Sequence, residues 1–511
     1  MDAHKIILES IAQNITNERG LRGLKVVAAG HSGKLLRNSD LVEAYLKLLR
    51  AKKIKARPEL LDLLKKARIR TLSGVSPVAV LTKPSGCPGN CVFCPTERGM
   101  PKSYLSNEPA VMRARRAKFD PFRQVRDRLQ ALTACGHETS KIELIVMGGT
   151  FSAHPKRYQT WFIRRCLQAL NSYELRVTSC QKSKTIENAK KANEKSKHRL
   201  VGLTLETRPD FITPTEVQRM LKLGCTRVEI GVQSLDDKVL RKVKRGHKVA
   251  ESIRAIRLLK DAGLKVGIHM MPNLPGATPR SDLAMFRKIF EDPDFVPDQL
   301  KIYPTVLTEG TELVKLWRAK KWKPYSDKTL TKLLADIKQL VLPWVRLTRV
   351  IRDIPAESIL AGSKITNLRQ ILQRQGVRCQ CIRCREIRTG HFDPRKARII
   401  KREYPASGGK EIFLSFEAEK KLISLLRLRF CKNGAYVREL HSYGAELGLG
   451  TRGSSGQHRG FGKRLITEAE QLTKKNSHKK LKIISGVGVR PYYRKLGYRL
   501  DREKIYMEKN L

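Results

Sequence analysis

Cys87-Pro88-Gly89-Asn90-Cys91-Val92-Phe93-Cys94 is the stretch that decides the fold. Its three cysteines stand in C-x3-C-x2-C spacing with no fourth until Cys135. They can hold three corners of an iron–sulfur cube and leave one iron open to another ligand. A structural zinc site normally takes four protein ligands, and the nearest fourth candidate is distant. Just upstream, the apolar run Val78-Ala79-Val80-Leu81-Thr82 reads as a strand, so a metal-binding loop follows directly on a β-element.

Outward from that loop, from about Arg70, short β-rich runs alternate with amphipathic helices, the pattern of parallel strands joined by crossover helices. The runs are Val78 to Thr82, Ile142 to Met147, Leu200 to Leu205, Arg227 to Val232, Val266 to Met271 and Leu300 to Tyr303. Six such strands make a partial (β/α)6 barrel with its ligands at the carboxyl ends. Residues 1–70 read instead as a small basic helical module, with Ile6, Ile7 and Ile11, then Leu41, Tyr45, Leu48 and Leu49, at helical spacing. Gln181 to Arg199 is lysine-rich without an apolar period and is expected to be a solvated surface insertion. Ile412 to Phe416 and Leu422 to Leu428 read as strands of a separate last domain. The expected division is 1–70, 71–345 for the barrel, 346–395 for a cysteine-bearing linker and 396–511 for the final domain, an α/β multidomain chain.

The chain has 511 residues, with 103 Lys and Arg against 48 Asp and Glu, a net charge of +55. Such an excess repels itself unless a polyanion shares the field, and RNA is the natural partner. The start lacks the layout of a signal peptide and no apolar run approaches a membrane span, so a cytoplasmic protein without membrane attachment is expected. Eleven cysteines, six of them in two tight triplets, fit metal ligation in a reducing compartment better than a disulfide scaffold. Cys135, Cys166, Cys180, Cys225 and Cys431 are expected to be buried apolar fillers.

The cysteine loop after its strand resembles that of radical S-adenosylmethionine enzymes. The resemblance implies a 4Fe-4S cluster on Cys87, Cys91 and Cys94. Its open iron chelates S-adenosylmethionine, which one electron from a donor protein cleaves to a 5′-deoxyadenosyl radical. After the second strand, the paired glycines of Gly148-Gly149-Thr150 let main-chain groups approach a ligand closely. The resemblance puts the amino group of S-adenosylmethionine there, with Thr150 standing where an acidic residue is usual. Glu206, after the third strand, offers a carboxylate to a ribose or amino group. Gln233, in Gly231-Val232-Gln233-Ser234, could orient the nucleoside, and the apolar part of His269 to Gly276 could pack on adenine.

A second triplet, Cys379-Gln380-Cys381-Ile382-Arg383-Cys384, is too tight for a cube and suits a structural zinc with a fourth ligand from elsewhere, His391 or His269 being open alternatives. In the last domain, Gln457-His458-Arg459-Gly460-Phe461-Gly462 precedes a helical run, Lys463 to Lys474. Glycines there let the chain wrap a phosphate that faces the helix amides. With strand-like Tyr436 to His441 before it and Tyr492-Tyr493-Arg494-Lys495-Leu496-Gly497-Tyr498 after it, the order resembles the GCN5-related N-acetyltransferase (GNAT) fold, an α+β domain that binds acetyl-coenzyme A, with Tyr493 in the place of its late tyrosine.

Both modules in one chain are similar to the Elongator catalytic-subunit family, including its stand-alone archaeal and bacterial members. The runs Ser73 to Val80, Cys87 to Pro95, Val146 to Phe151, Glu206 to Asp210, Glu229 to Ser234, Arg352 to Pro355, Arg438 to His441 and Ile484 to Tyr498 carry the likeness. The resemblance implies a tRNA carboxymethyluridine synthase. In that family the radical takes a hydrogen from the methyl of acetyl-coenzyme A, the carbon adds to C5 of wobble uridine 34, and thioester hydrolysis follows. By motif, Lys141 would contact acetyl-coenzyme A from the barrel, and Glu439, Leu440, His441 and Ser442, the loop Phe461, Gly462 and Lys463, and Tyr493 from the other side. Lys141 and Tyr493 are the expected catalytic residues, and a homodimer is one expected state. Against the family pattern, the first cysteine gap is short and Lys244 stands where asparagine is common. The alternatives are a protein lysine acetyltransferase with the barrel as scaffold, a tRNA-binding platform, and a radical enzyme with another donor.

Overall fold

The computed structural model describes residues 2–33, 35–65, 71–172, 184–388, 392–444 and 459–511. The six expected strands form β1 (Ser76–Leu81), β2 (Lys141–Met147), β3 (Arg199–Thr207), β4 (Arg227–Gln233), β5 (Lys265–Met270) and β6 (Gln299–Ile302). All pair in parallel and in chain order. After the short β7 (Leu307–Thr308), a strand not expected from sequence, β8 (Arg346–Arg349), closes the sheet as its seventh member beside β6. It comes from the segment read as linker. β9 (Ile359–Ala361) pairs only with β7.

Successive side chains along each strand point to two different environments. Val78, Val80, Leu144, Val146, Leu203, Leu205, Val228, Ile230, Val266, Ile268, Leu300 and Leu347 point outward into the helical layer and are buried in one core. The intervening residues face the lumen of the half-barrel.

The lysine-rich stretch departs from its expected solvation. Ile186–Asn193 is a helix capped by Thr185, with Ile186, Ala189, Lys190 and Asn193 buried. Asn193 anchors it, its amide donating to the His198 carbonyl and accepting from Leu200 N at 3.1 and 2.7 Å. Lys190 buries its stem and donates to the Lys222 carbonyl at 2.9 Å. A narrow apolar stripe plus one well-satisfied amide suffices to seat a segment whose composition reads as polar. Of the expected filler cysteines, Cys166 and Cys225 are buried, Cys135 and Cys431 only half-buried, and Cys180 lies outside the described residues.

The amino-terminal helices Ala3–Ala12, Glu18–Ser32, Asn38–Arg50 and Pro58–Leu64 share a small core of their own around Ile6, Ile7, Leu41, Tyr45 and Leu64. The last domain is a second seven-stranded sheet. It contains β10 (Arg398–Ala406), which the sequence reading missed, then β11 (Gly409–Ala418), β12 (Lys421–Cys431), β13 (Gly434–Ser442), β14 (Lys480–Ile483), β15 (Arg499–Leu500) and β16 (Met507–Asn510). Its helix Phe461–Lys475 packs on that sheet.

The second domain docks on the amino ends of the barrel strands. Arg427, Arg429 and Arg438 from β12 and β13 are fully buried against barrel acids. Arg438 pairs with Asp298 at 2.5 Å and donates to the Leu264 carbonyl at 2.6 Å, and Arg429 pairs with Asp261 at 2.5 Å. Gly486 and Gly488 press on the backbone of β3 so closely that a Cβ on Gly486 would lie 2.2 Å from the Val201 carbonyl oxygen. Among the described residues no helix is long and apolar enough to cross a membrane.

Candidate active site

The cysteine loop sits over the carboxyl ends of β1 and β2, beside the turn that follows β2. Cys87 Sγ lies 3.6 Å from Thr150 Oγ1. Gly148, in the same turn, has φ +128°, and a Cβ there would lie 2.1 Å from Thr82 Oγ1, so the turn and the end of β1 approach as only glycine permits. Gly149 and Thr150 line the cavity beyond.

Two arginines clamp the loop, and the sequence reading assigned neither of them a role. Arg245 Nη1 donates to Cys91 Sγ at 3.4 Å and its Nη2 to the Gly231 carbonyl at 2.5 Å. Arg208 is oriented by Asp210 and donates to the Arg245 carbonyl at 2.7 Å, with its Nη1 where a side chain on Gly89 would stand. A hydrogen bond from Cys94, helped by these guanidiniums, holds the Cys91 thiol down at about 5 against its burial, which favours the thiolate that ligates metal. The three thiols do not converge within a single-ion distance as those of the second triplet do. The donor set suits an extended cluster better than one zinc.

A cavity of about 700 Å³ opens from Cys87 and Cys94 and runs down the barrel lumen. Gln233, at φ +72°, turns back into it, and Gln233 Oε1 and Arg208 Nη1 are buried without a hydrogen-bond partner. These are polar groups that a nucleoside-bearing ligand would satisfy. The residues present therefore fit an iron–sulfur cluster with a nucleoside ligand beside it.

Deeper in, the lumen is ionic. Glu206 accepts from the Tyr104 hydroxyl at 2.8 Å and lies 3.8 Å from Lys301 Nζ. Glu229 receives Lys301, Arg227 at 3.6 Å and His269 Nε2 at 3.1 Å. Burial alone would raise its pKa, but these cations and the histidine hold it well below the usual carboxylate range. Met271 also lines the cavity, while Met270 is core. His269, read from sequence as part of a stretch whose apolar part could pack on adenine or as a zinc ligand, is thus part of a charged cluster drawn from β3, β4, β5 and β6.

The cavity reaches Ser73 at the amino end of the barrel, and among the described residues neither Lys141 nor any residue of the second domain lines it. There His441 Nε2 donates to the Ser73 carbonyl at 2.7 Å. Lys141 is buried at the start of β2 on this same floor, a strand's length of about 20 Å from the cysteines. β13 pairs with β14 only through Ala435 to Val437, so Glu439 to Ser442 run on past the shared register. Glu439 is tied to Arg427 at 2.8 Å and Lys265 at 3.0 Å, and Ser442 lies 3.0 Å from Ser424. Leu440 faces the start of the helix Phe461–Lys475, where a Cβ on Gly462 would come within 3.7 Å of it and 3.2 Å of the Tyr492 hydroxyl. Gly460 caps that helix in left-handed geometry, with no described residue within 4 Å of where its Cβ would stand, and Lys463 lies in its first turn. Phe461 is buried in the second core, as is Tyr493, whose ring packs edge-on against Tyr492 and Tyr498. Gln457 lies outside the described residues.

Cys379, Cys381 and Cys384 bring their sulfurs within 4.8 Å of one another. Hydrogen bonds from Cys379 and Cys384 hold the Cys381 thiol well below its ordinary value. The set fits three corners of a tetrahedral zinc site. His269 is not the fourth, being engaged with Glu229 in the lumen, and His391 lies outside the described residues.

Residues 81–289 match the radical SAM superfamily and residues 297–376 the radical SAM C-terminal domain. The chain is 46% identical over 484 residues to the tRNA uridine(34) acetyltransferase of Methanocaldococcus infernus, covering 88% of each. It is 49% identical over 454 residues to the protein of that name in Dehalococcoides mccartyi, covering 84% of this chain and 97% of that one. It is 41% identical over 481 residues to human Elongator complex protein 3, covering 87% and 86%. Among solved structures, archaeal Elp3 from Methanocaldococcus infernus, lacking its first 46 residues, superposes with a TM-score of 0.74 at 42% identity, over 86% of this chain and all of that one.

Proposed function

The chain belongs to the family of tRNA uridine(34) acetyltransferases and Elongator catalytic subunits, within the radical SAM superfamily, and on that premise we propose that it is a tRNA carboxymethyluridine synthase. It would join the methyl carbon of acetyl-coenzyme A to C5 of uridine 34. The observation that carries the reading is one cavity lined from Cys87 and Cys94 down to Ser73, whose carbonyl accepts from His441 of the docked second domain. A donor held at one end and a radical made at the other can meet inside it.

When bound on Cys87, Cys91 and Cys94, the cluster would supply the electron that cleaves S-adenosylmethionine to a 5′-deoxyadenosyl radical, drawing in turn on a reductant protein. Arg245 and Arg208 hold the thiol loop in its ligating form. Gly148 and Gly149 offer main chain to the amino group, while Glu206, Thr150 and Gln233 take the polar edges of the ligand. Glu439 to Ser442, Gln457, Gly460 to Lys463 and Tyr493 hold acetyl-coenzyme A, with Lys141 contributing from the barrel floor. The chain's +55 charge supplies phosphate contacts for tRNA, the helical module 1–70 and the barrel rim forming the RNA face, and the target base is splayed out of its stack. The second triplet holds a structural zinc in the 346–395 segment, and the protein works in the cytoplasm, as a monomer or a homodimer.

The test is mass analysis of tRNA nucleosides after anaerobic incubation with S-adenosylmethionine, a reductant and methyl-labelled acetyl-coenzyme A. Label at C5 of uridine 34 that requires both cofactors and Cys87, Cys91 and Cys94 supports the reading. Protein acetylation that survives alanine at those cysteines, with no label in RNA, would refute it.

A further inference from the structure

Hydrolysis of the joined intermediate needs a base, and the lumen holds one candidate with the right geometry. If the acetyl carbon joins C5 of uridine, as proposed above and as this inference assumes, the intermediate carries base, methylene, carbonyl and coenzyme A sulfur in sequence. The bond still to be cut lies two bonds from the one just made. The groups that cut it must therefore line the cavity where the radical acts. Among the described residues lining that cavity, His269 is the only histidine. The carboxylates there, Glu108, Glu143, Glu206, Glu229 and Asp353, each lie against an arginine or lysine, which weakens them as bases.

We propose that His269, oriented by Glu229, is the general base for thioester hydrolysis. Glu229 accepts the Nε2 proton at 3.1 Å, which leaves the Nδ1 lone pair for water. Glu206, Glu229 and His269 could between them ligate a metal, but the Lys301 ammonium is already bound to Glu229 and supplies the positive charge there. The other ionisable group facing the imidazole is Tyr303, whose ring meets it edge-on at 5.4 Å. In the step, Nδ1 takes a proton as the water oxygen attacks the thioester carbonyl. The carbon–sulfur bond breaks, coenzyme A leaves as thiolate, and the proton passes from His269 to sulfur. Water is consumed, a carboxylic acid and a thiol are formed, and no redox partner is needed. His269 is the catalytic residue and Glu229 the positioning one.

The experiment gives full-length, cluster-loaded protein a synthetic anticodon stem–loop bearing the coenzyme A thioester of 5-carboxymethyluridine. S-adenosylmethionine and reductant are omitted, so the radical step is bypassed, and thiol release is followed. The wild type accelerates hydrolysis. His269→Gln lowers kcat about 10²- to 10⁴-fold with KM held, the range of a lost general base. Glu229→Gln lowers kcat less than His269→Gln does, with KM again held, because the imidazole loses the carboxylate that orients it. Added imidazole restores His269→Ala. A raised KM with kcat retained in His269→Gln, or a wild type that leaves the thioester intact, would overturn the proposal. A wild type that cleaves the thioester yet never labels tRNA from acetyl-coenzyme A would support the dyad and refute the radical reading.

Discussion

Asp298→Asn should unseat the second domain from the barrel. Asp298 is 1% exposed and accepts from Val266 N at 2.8 Å and from Arg438 at 2.5 and 2.9 Å, with Arg427 at 3.5 Å. The amide keeps the shape but removes the charge, leaving two buried guanidiniums short of a counter-ion. Breaking a buried pair in this way costs about 3–5 kcal/mol, and at roughly 2 °C per kcal/mol for folding units of this size the melting temperature falls by about 6–10 °C. The control is Glu312→Gln, whose partner Lys244 is 2.6 Å away with both side chains half exposed. Such a pair is worth about 0–1 kcal/mol. Differential scanning calorimetry measures both. The carboxyl of Asp298, despite its burial, is held far below the ordinary carboxylate value by Arg438, Arg427 and Lys260. Its folded pKa is depressed, so its stabilisation is complete above the unfolded value of about 3.9 and is lost only as pH falls well below that. The gap between wild type and Asp298→Asn should therefore stay constant from pH 5 to 8. A fall of less than about 2 °C, or one matched by Glu312→Gln, would refute the claim that this buried pair holds the domains together.

Gly148→Ala should abolish formation of 5′-deoxyadenosine while iron content stays near wild type, because the new Cβ drives the turn off Thr82 and not off the cysteines. Retention of half the wild-type rate would contradict it. Cys381→Ser should lower bound zinc from about one per chain to near zero by elemental analysis while leaving iron unchanged. An unchanged zinc content would contradict the assignment of the second triplet. Lys260 is buried with its ammonium on the Val296 carbonyl, and burial pushes it down to about 8. Because the unfolded chain binds the extra proton between about pH 8 and 10.4, stability rises with pH across that window. Chemical denaturation should therefore show wild type gaining on Lys260→Met from pH 8 to 10, and a constant difference would count against it.

Strands β1 to β6 are legible because a parallel strand under helices exposes only apolar groups to that layer, so Val, Ile and Leu cluster in the sequence. β8 is not, because Arg346-Leu347-Thr348-Arg349 gives the core one leucine and turns Arg346 and Thr348 into the lumen. β10 hides for a related reason, since one lysine, two arginines and a glutamate flank its short apolar pair Ile399-Ile400, and an edge strand so charged reads as solvated chain. The cysteine triplets, the Gly148 turn and the glycines Gly460 and Gly462 are visible because their local spacing can be read directly from the sequence. The arginine clamp and the lumen network are not, because Cys91 and Arg245 stand 154 residues apart and Glu229 and Lys301 stand 72 apart. One signal was present, the charged run Glu206 to Asp210 at the end of β3, whereas Lys244-Arg245-Gly246-His247 follows the helix Asp237–Lys242 and carries no such mark. Assigning their partners needed the barrel to close.

Whether the radical reaches the acetyl methyl through the lumen is read most directly from recovered 5′-deoxyadenosine. With acetyl-coenzyme A carrying a trideuterated methyl, unlabelled S-adenosylmethionine, tRNA and reductant, 5′-deoxyadenosine should gain one deuterium, in step with labelled uridine 34. Deoxyadenosine without deuterium alongside modified tRNA would show that the hydrogen comes from elsewhere and would contradict the account.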